Sequence, residues 1–164
     1  NPEKIINDNT FEKCKSLTKI IISSLVTSIG DIAFYECASL EKFSNPSSVT
    51  SIESYAFSRC SSLIQNEIHS SVTKIKHGTF NECTSLTHIE IPSSVTLINN
   101  YAFGQCSLAQ IKILYSVLKI DSFLFRDAHH WIALMFFRLK SQLVILFLKK
   151  RSSIIAQIIS QKKI

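Results

Sequence analysis

Ser70-Ser71-Val72-Thr73-Lys74-Ile75-Lys76-His77-Gly78-Thr79-Phe80-Asn81-Glu82-Cys83-Thr84-Ser85-Leu86-Thr87-His88-Ile89-Glu90-Ile91 is the unit from which the chain is built. Phe80 stands in a column with Phe11, Phe34, Phe57 and Phe103, each 23 residues from the next. Cys14, Cys37, Cys60, Cys83 and Cys106 keep the same step three places later. Val26, Val49, Val72 and Val95 form another column, and Ile6, Ile29, Ile52, Ile75 and Ile98 a fourth. A period in this range marks a solenoid. A single copy buries too few apolar side chains to offset the ordering of its own backbone, so stability must come from stacking copies on one another.

Within each unit the hydrophobic spacing changes. Ser16, Ser39, Ser62 and Ser85 each precede a Leu, and a short alternating run follows, as in Ile20/Ile22 and Ile89/Ile91. Alternation with period two predicts a strand with one buried face. Ile29, Ala33, Phe34 and Cys37 instead fall at i, i+4, i+5 and i+8, which predicts one or two helical turns on the opposite wall. The expected class is therefore α/β, a solenoid with a parallel sheet on one side and short helical turns on the other. Asn45 and Asn66 replace strand residues of the second and third copies, where local irregularity is expected.

The array slips once. Cys106-Ser107-Leu108 is one residue shorter than the matching Cys83-Thr84-Ser85-Leu86, which moves Ile111, Ile113, Val117, Ile120 and Phe125 onto a step of 22. Beyond Phe125 the pattern fades. Ala128 falls in the Cys column, Trp131 in the Leu column, and Leu134 and Phe136 in the strand, but Lys140 and Arg151 land where Val and Cys belong. Residues 1–125 thus read as about five copies with a truncated first one. Residues 126–164 read either as a degenerate repeat or as a basic C-terminal cap. The first residues already lie inside a repeat, so the chain reads as a piece of a longer array, and the lack of a signal peptide in it says nothing about secretion.

The formal charge of +6 suggests nucleic acid until it is placed along the chain. Residues 126–164 hold eight of the 18 Lys+Arg and one of the 12 Asp+Glu, so the basicity belongs to the tail and the array is close to neutral. No nucleic-acid partner is expected. The apolar runs of the tail are shorter than a membrane span and are interrupted by Arg138 and Lys140. Peripheral membrane contact through its basic residues is the weaker reading beside a cap.

Ile91-Pro92-Ser93-Ser94-Val95-Thr96-Leu97-Ile98, followed by Tyr101-Ala102-Phe103-Gly104-Gln105-Cys106, resembles the BspA-type leucine-rich repeat. So do Ala33-Phe34-Tyr35-Glu36-Cys37-Ala38-Ser39-Leu40 and Ala56-Phe57-Ser58-Arg59-Cys60-Ser61-Ser62-Leu63. The resemblance implies a right-handed leucine-rich-repeat solenoid, a non-catalytic binding role, and adhesion to host matrix or cell-surface proteins from a cell-surface or extracellular position. A cytoplasmic scaffold or regulator binding a cytosolic partner is the alternative.

Candidate chemistry is sparse. The five cysteines lack CxxC spacing, and parallel side chains stacked ~4.8 Å apart do not suit a disulfide, so they are expected to form a buried thiol ladder. The column Ser16, Ser39, Ser62 and Ser85 suits turns that satisfy backbone groups. His129-His130 has no third ligand at metal spacing, and neither GxSxG nor HExxH occurs. No cofactor, metal or catalytic residue is expected. A ligand is expected on the outward strand positions, which read Lys19, Lys42, Gln65, His88 and Gln110 down one column and Ile21, Ser44, Glu67, Glu90 and Lys112 down the next.

Overall fold

The computed structural model describes residues 4–109, 111–114, 116–121, 123–125, 135–139 and 142–146. In chain order its strands are β1 Ile5–Ile6, β2 Ser28–Ile29, β3 Lys42–Ser44, β4 Ser51–Ile52, β5 Gln65–Glu67 and β6 Lys74–Ile75. They continue with β7 His88–Glu90, β8 Leu97–Ile98, β9 Ile111–Lys112, β10 Lys119–Ile120, β11 Met135–Leu139 and β12 Gln142–Leu146. They form one sheet in the order β12-β11-β9-β7-β5-β3 and two smaller ones, β1-β2-β4 and β10-β8-β6. Every pairing is parallel except that of β11 with β12.

The large sheet is the one the alternation predicts. Phe43, Asn66 and Ile89 are buried between exposed neighbours, and all three lie side by side in the ladder. The deletion near Ser107 also appears in the register. Gln65 pairs with His88, 23 residues on, whereas Glu90 pairs with Lys112, 22 on. Asn66 does not disturb the strand that carries it, contrary to the irregularity expected there, because parallel pairing uses backbone groups alone. At the C-terminal side Met135, not Leu134, aligns with Ile111, and Phe136 aligns with Lys112. Apart from β11 and β12, the 126–164 segment, including His129-His130, lies outside the described residues.

The smaller sheets form a second wall in which Ile29, Ile52, Ile75 and Ile98 point inward. No ladder joins β4 to β6. Ser71 Oγ, donating to the Val49 carbonyl, and the Lys76–Glu53 ion pair span that junction instead.

The expected helical turns are absent among the described residues, and the architecture is all-β. Two residues per turn, four apart, adopt φ of 55–60°: Asn9 and Lys13, Ile32 and Glu36, Tyr55 and Arg59, Gly78 and Glu82, Tyr101 and Gln105. A left-handed residue at that spacing stops any α-helix. Alternate amides instead reach across to the next turn. Ile32, Phe34 and Glu36 donate to the carbonyls of Ser54, Ala56 and Ser58, while the intervening Ala33, Tyr35 and Cys37 close local turns onto Gly30, Ile32 and Phe34. The same three crossing bonds recur from Tyr55, Phe57 and Arg59 to His77, Thr79 and Asn81.

Between the walls runs a column of stacked rings. Phe11, Phe34, Phe57, Phe80, Phe103 and Phe125 have successive centroids 5.0, 5.1, 5.7, 5.7 and 6.1 Å apart. The cysteines lie beside them, and each buried thiol is held in one way: Cys37, Cys60, Cys83 and Cys106 donate at 3.1 Å to the carbonyls of Phe11, Phe34, Phe57 and Phe80. Glycines are few, and Gly78 shows why one is needed there. The ring of Tyr55 folds over its backbone.

Candidate functional site

The outward residues of the large sheet come together as the periodicity predicts. Lys42, Gln65 and His88 are laddered, and a single parallel bridge adds Lys19 to Lys42. Ser44, Glu67, Glu90 and Lys112 align as the second column. Neighbours along each column are held ~4.8 Å apart by the strand spacing. Lys19, Ile21, Lys42, Ser44, Gln65, Glu67, His88 and Glu90 are all exposed, Ile21 at 83%. Gln110 lies outside the described residues, and Lys112 is placed by its backbone.

A shallow depression of about 450 Å³ opens on the N-terminal half of this face, with Lys19, Ile21, Lys42, Ser44, Gln65 and Glu67 on its walls. Pro46 lines it as well and is absent from the two sequence columns. Continuing the alternation from Lys42 and Ser44 by one more step would have found it.

The face differs from the turn wall in its electrostatics. On the turn wall, Lys13, Glu36, Arg59 and Glu82 occupy one column with alternating signs. Arg59 bonds Glu36 at 3.0 Å and Glu82 at 3.1 Å and lies over the ring of Tyr35. The Arg59 hydrogen bond holds the Glu36 carboxyl below the usual carboxylate range. Arg59, Glu36 and Glu82 thus satisfy one another, and Lys13 pairs with the adjacent Glu12. On the strand face Lys19, Lys42, Glu67 and Glu90 take part in none of the ion pairs or side-chain hydrogen bonds found among the described residues.

The thiols have the chemistry of a core. Burial pushes Cys37 up to about 11 and Cys106 up to about 12, and it raises Cys60 and Cys83 as well. A thiol that stays protonated at neutral pH is a poor nucleophile and a poor metal ligand. All five cysteines are free. Among the described residues no group of three or more His, Cys, Asp or Glu is placed to hold a metal ion, and no helix is long and apolar enough to cross a membrane.

The sequence model of the BspA type leucine-rich repeat region matches residues 4–131 in six copies. The chain belongs to the BspA-type leucine-rich repeat family. Solved structures agree. A leucine-rich repeat protein of T. pallidum superposes with a TM-score of 0.64 at 31% identity, covering 66% of this chain and 51% of its own. One from Bacteroides ovatus gives 0.58 at 25% identity, covering 67% of this chain and 34% of its own. A leucine-rich cell surface protein from Faecalibacterium prausnitzii gives 0.57 at 26% identity, covering 86% of this chain and 48% of its own. This BspA-type repeat chain therefore spans about half or less of each of these structures. No curated protein matches it. Leucine-rich repeat arrays of this kind generally serve as protein-interaction modules.

Proposed function

We propose that this chain is a non-catalytic module that binds a protein partner through the outward columns of its large sheet, and that it does so at a cell surface, on host matrix or cell-surface proteins. The observation that carries this reading is the strand face itself. Eight outward side chains stand exposed in two columns, six of them around a shallow depression, and among the described residues the four charged ones form no ion pair or side-chain hydrogen bond. A rigid sheet presents such side chains at fixed spacing without a folding cost on binding. The description of the F. prausnitzii structure as a cell surface protein supports the location. An intracellular scaffold would use the same face on a cytosolic partner.

A photo-crosslinking residue placed at Gln65 or at Asn81, with the array offered to purified matrix proteins, tests the binding reading. Crosslinks from residue 65 and none from residue 81 are expected. Crosslinks from the turn wall alone, or equal yields from both, would overturn the assignment of the face. Labelling intact cells with a membrane-impermeant reagent tests the location. A chain that labels only after the cells are opened would move the function to the intracellular alternative.

A further inference from the structure

Like charges on the strand face are segregated rather than alternated. Lys19 is bridged directly to Lys42, and Glu67 directly to Glu90. Like charges opposite one another in a ladder repel, and the alternating column on the turn wall shows that this fold also accommodates the arrangement that avoids the repulsion. The face instead runs from a cationic pair on the first two copies to an anionic pair on the next two, bounded by Lys112 on the following strand. Beside the cationic pair stands an apolar foothold. Ile21 is 83% exposed, and Pro46 lines the same depression.

On the reading that this sheet is the binding face, we propose that it takes an extended peptide segment of defined charge order: an acidic pair, an apolar residue, then a basic pair. The acidic pair sits over Lys19 and Lys42, the apolar side chain packs on Ile21 and Pro46, and the basic pair meets Glu67 and Glu90. The spacing follows from sheet geometry. The centres of the two charge pairs are two copies apart along the sheet and two residues apart along the strand, which is ~12 Å. At ~3.3 Å per residue an extended peptide covers that in three to four residues. A uniformly acidic or basic segment would gain one pair and be repelled by the other.

The test uses the 164-residue chain and a fluorescein-labelled peptide of two glutamates, leucine, serine and two lysines in that order. Controls carry glutamate at all four charged positions, lysine at all four, or the two signs alternated. Fluorescence anisotropy at low salt should show the ordered peptide binding about tenfold tighter than each control, with the preference shrinking as salt rises. Lys19→Glu with Lys42→Glu should remove the preference, as should Glu67→Lys with Glu90→Lys, and Ile21→Ser should weaken binding severalfold with the salt dependence kept. A control that binds as tightly as the ordered peptide, or a double variant that binds it unchanged, overturns the charge order. If crosslinking from residue 65 persists in that event, the binding face stands and only its specificity is wrong. If both fail, both readings fall.

Discussion

The thiol of Cys60 donates to the carbonyl of Phe34, 26 residues earlier, at 3.1 Å. That bond ties the third copy to the second and fixes the cysteine as a proton donor. Among the described residues the same link is made by Cys37, Cys83 and Cys106.

Alkaline pH should therefore loosen the array. Below the ordinary thiol value of 9.0 both folded and unfolded chains keep these protons, so the thiols add no pH dependence. From there to about 11, where Cys37 begins to ionise, the unfolded chain releases protons that the folded one holds. Stability then falls as pH rises, by about 1.4 kcal/mol per pH unit for each thiol. Urea unfolding at pH 8 and pH 10 should show a steep loss. Replacing Cys60 by Ala should remove about a quarter of the part due to these four thiols. An unchanged slope would count against the raised thiols.

Asn66 is the reverse case. Its amide is buried at 3% exposure, and among the described residues neither its oxygen nor its nitrogen has a hydrogen-bond partner. Asn45, also buried, differs in that its oxygen accepts from the His69 amide. Asn66→Ile should raise stability by about 1 to 3 kcal/mol, since it removes an unmet desolvation cost and fills a column occupied by Phe43 and Ile89. Asn45→Ile should gain less or destabilise. Equal effects in chemical denaturation would show that the hydrogen bond at Asn45 contributes nothing.

Phe80 is fully buried and stacks on Phe57 and Phe103, both at 5.7 Å. Phe80→Ala should cost about 3 to 5 kcal/mol by leaving a cavity in the ring column. A loss below about 1 kcal/mol in equilibrium unfolding would contradict that placement.

A Cβ at residue 78 would come within 2.4 Å of Tyr55 Cε1. The φ of +60° at Gly78 is tolerated by Ile32, Tyr55 and Tyr101 in the equivalent places, so the ring, not the backbone, sets the requirement. Gly78→Ala should destabilise by about 1 kcal/mol, and Tyr55→Ser should relieve most of that penalty in a double-mutant cycle. Additive effects would place the strain in the backbone.

The parts of this fold that were legible in the sequence are those written in side chains. Columns of Phe, Cys, Val and Ile announce inward positions, the missing residue near Ser107 announces the change of register, and alternation announces Lys42, Ser44, Gln65 and Glu67 as outward. The turn wall was misread because its conformation is written in the backbone. Ile32 at φ 60° is an uncommon residue for the left-handed region, and no side-chain pattern signals it. Its amide finds the carbonyl of Ser54 only once a second copy is in place. The second-wall strands, two residues each, are too short for alternation to show. Pro46 escaped because its copy was read only two outward positions deep.

The crossing bonds of the turn wall all run one way: from Asn9, Phe11 and Lys13 to Asp31, Ala33 and Tyr35, and so on to Tyr101 and Phe103, every donor belongs to the earlier copy and every acceptor to the later. Peptide dipoles aligned in this manner add, as they do in a helix. This wall therefore carries an electrical polarity along the solenoid axis, its carbonyl end toward the first copy and its amide end toward the last. A bundle of such arrays would favour antiparallel neighbours, and an array laid end to end would favour head-to-tail order, whatever side chains decorate the surface.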